Sequence, residues 1–159
     1  YTSVSAPIQD AAVTAFQCGP EIERYLSHVR RILAALGRRS ARRLNEAGIR
    51  VHEPHGAFYL FLDFSAHAGR LAARGIRHSV KLCDRLLEET GVAVLAGASF
   101  ARPKEELTAR LSYVDFEGAA ALAAAEAIPP DQPITEGFLA RHCPSVVEGV
   151  DRIAEWVNG

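Results

Sequence analysis

Apolar and polar positions along the chain follow two rhythms in turn. From Pro20 to about Ala47 the residues Ile22, Tyr25, Leu26, Val29, Ile32, Leu33, Leu36 and Leu44 recur every three or four, the face of an amphipathic helix. Such a helix is roughly 40 Å long at 1.5 Å per residue, which suits an element that connects two bodies or braces a surface. Gly48 terminates it. A shorter helix from Ala6 to Phe16, with Ser5 as N-cap and Pro7 in its first turn, lies before the break at Gly19-Pro20.

The rhythm then changes. Ile49 to Glu53 reads as a short strand, and Ala57 to Phe64 as a strand apolar on both faces, hence central in its sheet. Asp63 to Gly75 reads as a polar loop. A helix from Ser79 to Glu89 places Val80, Cys83, Leu86 and Leu87 on one face and closes at Gly91. Val92 to Leu95 is a short buried strand. Leu107 to Phe116 alternates strictly, with Ala109, Leu111 and Tyr113 on one side and Arg110, Ser112 and Val114 on the other. Gly118 to Ala127 is helical by its alanines, Pro129 to Pro133 form a loop, and a last helix runs from Ser145 to Val157. Helices interleaved with at least three strands predict an α/β or α+β layer.

Composition narrows the classes. At 159 residues and a net charge of −1 the chain is one domain, or one domain with appended helices. Neither nucleic acid nor an anionic membrane is expected as its partner. No apolar run is long enough to cross a bilayer. The basic cluster Arg38-Arg39-Ser40-Ala41-Arg42-Arg43 reads as a solvated helix face, since no aromatics are interleaved with it. Cys18, Cys83 and Cys143 are odd in number and have no metal-ligand spacing, so the chain is expected to be reduced and cytoplasmic. It begins at Tyr1 and contains no Met, which fits a numbering that starts inside a longer polypeptide.

The candidate chemistry centres on Arg110. A guanidinium in a half-buried strand needs a facing carboxylate or phosphate. It either pairs with a neighbouring acid or forms a bidentate clamp on a ligand carboxylate. Other candidates are weaker: His52 and His55 flank Pro54, which opposes a metal-binding helix. Glu88 and Glu89 look solvated, and Ser99 lacks a nucleophile-elbow motif.

Four segments in order carry a family resemblance. Pro54-His55-Gly56-Ala57-Phe58-Tyr59-Leu60-Phe61 resembles the Pro-x-Gly-Ala-Phe-Tyr-x-Phe strand of class I/II aminotransferases. Gly91-Val-Ala-Val-Leu-Ala-Gly97-Ala-Ser-Phe100 resembles their Gly-Val-x-Val-x-Pro-Gly-x-x-Phe-Gly segment, with Ala96 in place of Pro and Ala101 in place of Gly. Arg110-Leu-Ser-Tyr-Val114 resembles the following Arg-Leu-Ser-Tyr strand, and Ser3 to Gln9 a segment after the cofactor-anchoring lysine. The resemblance implies the C-terminal small domain of a fold-type I enzyme: helices over residues 1–47 that include the interdomain helix, and a sheet of three to four strands flanked by helices over 48–159.

It also implies roles. Arg110 would hold the substrate α-carboxylate, Phe58 would lie close to the substrate, and Gly97 would permit close backbone approach. Pyridoxal 5'-phosphate would be the parent enzyme's cofactor, with amino acids and 2-oxo acids as substrates. The parent would be a homodimer, completed by an N-terminal large domain. Lys81 and Lys104 match no Schiff-base lysine motif, so no catalytic or cofactor-binding residue is expected in this chain. An inactive C-terminal fragment follows; the alternative is the ligand-sensing domain of a transcriptional regulator.

Overall fold

The computed structural model describes residues 3–159, so the first two residues of the 1–47 segment lie outside it. Helix α1 (Ala6–Ala15) precedes the 27-residue α2 (Pro20–Glu46). Pro20 opens α2, Glu21 and Glu23 lie in its first turn and Arg43 in its last, charges that oppose the helix dipole. Gly48, at φ 82°, turns the chain out of it. The half-buried and buried stripe of α2 ends in Ile32, Leu36, Ala41 and Leu44, all inside the core.

Three strands form one antiparallel sheet in the order β1 (Tyr59–Asp63), β3 (Thr108–Ser112), β2 (Leu95–Ala96). Leu60 and Leu62 of β1, and Ala109 and Leu111 of β3, point to the core side; Tyr113 follows them and is only 1% exposed. Helices α3 (Ala68–Ala73), α4 (Ser79–Thr90), α5 (Gly118–Glu126), α6 (Glu136–His142) and α7 (Pro144–Asn158) complete the seven helices among the described residues. Helix α2 packs on α5, α6 and α7, and α4 on α7 and β2. The expected α/β class with a small helix-flanked sheet is the fold observed.

Several expectations are corrected. The β1 strand is an edge rather than central, since β3 lies between it and β2, and its second apolar face, Tyr59 and Phe61, lies open to solvent. Ile49 to Glu53 makes a single bridge, Arg50 to Asp63, instead of a strand. The Asn45 side chain takes both backbone groups of Val51, donating to its carbonyl at 2.9 Å and accepting from its amide at 3.0 Å. That leaves Val51 nothing to offer a ladder. The supposed loop after Asp63 contains a 3-10 turn (Ser65–His67) and α3, because burial of Leu71 and Ile76 outweighs the nearby glycines. On α4 the buried stripe is Ser79, Leu82 and Leu86, whereas Val80 and Leu87 are 42% and 51% exposed. Helix α6 rises from the proline loop on a Thr135 cap, whose hydroxyl accepts from the Phe138 amide, and it buries Phe138 and Leu139.

The arginine cluster is a solvated face only in part, at Arg38 and Arg42. Arg39 and Arg43 both donate to Asp151 of α7, at 2.7 and 2.9 Å, and Arg42 pairs with Glu136 of α6. Only Arg38 of the four is exposed without an acidic partner among the described residues. Glu89 is likewise engaged: it accepts from Arg74, Arg85 and the Trp156 indole.

Candidate carboxylate-binding site

The sheet register decides what surrounds Arg110. As the middle residue of the central strand it lies opposite Phe61 on one side and Leu95 on the other. Directly opposed residues share a face, so Phe61, Leu95 and Arg110 all rise from the side away from the core. The Arg110 guanidinium carbon sits 4.2 Å from the Tyr59 ring centroid and 4.3 Å from that of Phe100. Phe100 in turn meets Phe61 edge-on at 6.3 Å.

Arg110 has no acid. Among the described residues it takes part in no ion pair and its guanidinium donates no hydrogen bond, while every acid-paired arginine lies elsewhere. Of the two interpretations the sequence leaves open, the structural ion pair does not occur among the described residues. What remains is a charged fork stacked on aromatic faces, with its in-plane N–H groups unspent.

Phe100 reaches the site through a 3-10 turn (Gly97–Phe100) that lies against β3. A Cβ on Gly97 would fall 2.0 Å from Thr108 Oγ1, so the turn can come this close only with glycine at its start. Thr108 Oγ1 is itself buried beneath the turn, without a hydrogen-bond partner among the described residues. Ala101 ends the turn at φ 58°, the left-handed region.

Phe58 stands elsewhere. Its ring packs against the core and lies 4.4 Å from that of Tyr59, so it supports the outer face from behind. Tyr59, Phe61, Leu95 and Phe100 escape sequence reasoning as site residues. Their signal is the register of three strands, which only long-range pairing reveals.

The other candidates fall away. His52 lines an open cleft of about 570 Å³ beside Phe61, where Arg50 is paired with Asp63 and Arg102 with Glu106. His55 lines a different cleft, of about 550 Å³, with Arg30, Arg38 and Pro54. No group of three or more metal-donor side chains occurs among the described residues. Burial pushes the thiols of Cys83 and Cys143 up to about 11, so neither is a ready nucleophile.

Neither lysine of the chain lies on the strands that carry Arg110 and its aromatic neighbours Tyr59 and Phe61. Lys81 lies in the first turn of α4, its amide bonded to His78, and Lys104 is exposed in the loop before β3. The outer face of the sheet, which carries Arg110, has no lysine. Among the described residues no helix is long and apolar enough to cross a membrane.

Comparison with known proteins bears on the family and the fold. The family described as aminotransferase class I and II matches residues 1–125. A probable aspartate/prephenate aminotransferase of Aquifex aeolicus is 46% identical over 66 residues, 42% of this chain and 15% of that protein. An aspartate aminotransferase of Thermotoga maritima is 43% identical over 61 residues, 38% of this chain and 13% of that protein. The aromatic aminotransferase structure from Pyrococcus horikoshii superposes with a TM-score of 0.58 at 24% identity, over 95% of this chain and 31% of that one, a likeness of fold. An aminotransferase structure from Mycobacterium tuberculosis gives 0.51 at 26% identity, covering 93% and 29%. The chain thus spans less than a third of these solved structures.

Proposed function

The chain belongs to the class I and II aminotransferase family, and we propose that it is the C-terminal, substrate-gripping part of a longer enzyme. That enzyme moves an amino group between an amino acid and a 2-oxo acid and works as a homodimer. Pyridoxal phosphate, held by an N-terminal large domain outside this sequence, supplies the electron sink and the carrier for the amino group. Residues 1–47 are a helical segment that includes the interdomain helix, and residues 48–159 form the small domain. By itself the chain is inactive.

One observation carries this: Arg110 presents a permanently charged, unpaired fork on the open face of the sheet. A carboxylate matches that fork with two parallel hydrogen bonds. Gripping it fixes the substrate's Cα relative to the domain, and the surrounding rings of Tyr59, Phe61 and Phe100 lower the local dielectric, which strengthens the pair. Phe58 contributes to the substrate site from behind Tyr59.

The test is Arg110→Lys in the complete reading frame that encodes this chain, followed through the amino-acid half-reaction. The expected result is a KM for the amino acid raised about tenfold or more, since a lysine offers a point charge in place of the fork. An unchanged half-reaction removes the carboxylate clamp.

A further inference from the structure

Resting on that clamp, the geometry points to a second role for two of the surrounding rings: we propose that Tyr59 and Phe100 are positioning residues for Arg110. An arginine side chain has several rotatable bonds, and immobilising it on binding weakens affinity. Proteins commonly hold arginine with a carboxylate, but a carboxylate here would occupy the N–H groups a ligand needs and cancel the charge it seeks. Aromatic faces avoid both problems. They attract the cation through the ring quadrupole and stack on its plane, leaving the edge donors free.

The two rings come from separate elements. Tyr59 is on β1, diagonal to Arg110 across the ladder, and it is backed by Phe58. Phe100 is on the turn seated by Gly97 against Thr108, and it is backed edge-on by Phe61. Each ring therefore has its own support. The Tyr59 hydroxyl makes no hydrogen bond among the described residues, so the ring alone does the holding, and a phenyl should serve as well.

The experiment uses the full-length protein with Tyr59→Leu, Phe100→Leu, Tyr59→Phe and Arg110→Lys, assayed for KM and kcat with an amino-acid donor. Both leucine variants are expected to raise KM roughly three- to thirty-fold with kcat nearly unchanged. Tyr59→Phe is expected to match the wild type. If Arg110→Lys raises KM but neither leucine variant does, positioning is overturned while the clamp stands. If Arg110→Lys leaves KM unchanged, the clamp itself fails and takes this proposal with it. A second measurement needs no variant: in a nitrogen-15 NMR spectrum the Arg110 Nε–Hε proton should be shifted upfield by the two ring currents. A resonance at the ordinary arginine position would overturn the stacking.

Discussion

Ala101 closes the turn that carries Phe100, and it does so at φ 58°, where a Cβ crowds the following carbonyl. The resembling aminotransferase segment carries Gly at this position. The structure supplies the reason. Ala101→Gly is expected to stabilise the chain by about 0.5–1 kcal/mol, the left-handed strain removed less the entropy glycine gains when unfolded. Urea denaturation read by circular dichroism would measure it, and a destabilised variant would show that the strain is illusory. Ala96 behaves differently. Its φ of −59° is the angle a proline ring enforces, so the missing proline leaves the backbone path intact. Arg110 was legible as a site residue from its lone charge in an alternating strand. The rings around it were not, because residues 59, 61 and 100 meet residue 110 only after folding.

At the level of elements, legibility followed period length. The 27-residue α2 repeats its apolar face over seven turns and was bounded to within a residue by Gly19-Pro20 and Gly48. Short segments failed for local reasons: the Asn45 side chain took the backbone of Val51, and the seven-residue α6 was hidden among prolines. Helix α2 also carries a constraint no periodicity reveals. A Cβ on Gly37 would lie 2.8 Å from both Pro54 Cγ and Tyr113 Oη. Tyr113 is buried and donates to the Ala57 carbonyl at 3.1 Å, so it cannot easily retreat. Gly37 thus sets how closely the helix approaches the sheet. Gly37→Val is expected to cost about 1–3 kcal/mol through overpacking, despite valine's better helix propensity. A thermal melt unchanged or raised would refute the close approach.

Across the whole molecule, two kinds of surface contrast. One is tied down by charge: Glu89 joins Arg74 beyond α3, Arg85 on α4 and Trp156 on α7. The Trp156 indole N–H, followed by the Arg85 and Arg74 guanidinium groups, holds its carboxyl below the ordinary value of 4.5. A depressed carboxyl contributes stability that is present above 4.5 and lost as pH falls through its folded value. Wild type and Glu89→Gln should therefore differ in denaturation midpoint at pH 7, and the gap should narrow below pH 4.5. A gap that stays constant would show that Glu89 acts without its charge. The other surface is bare and apolar. No residue of α1 is buried, Phe16 is 84% exposed, and Tyr59, Phe61, Leu95 and Phe100 lie open on the sheet. Such a contiguous apolar surface is of the kind that marks an interaction face. The sheet also separates two duties among alternate positions of the same short strands. Leu60, Leu62, Ala109 and Leu111 face inward and hold the fold, while Tyr59, Phe61, Leu95 and Arg110 face outward and leave the core untouched. Selection can therefore rewrite the outward set one residue at a time, changing what the face grips without first rebuilding what keeps it folded.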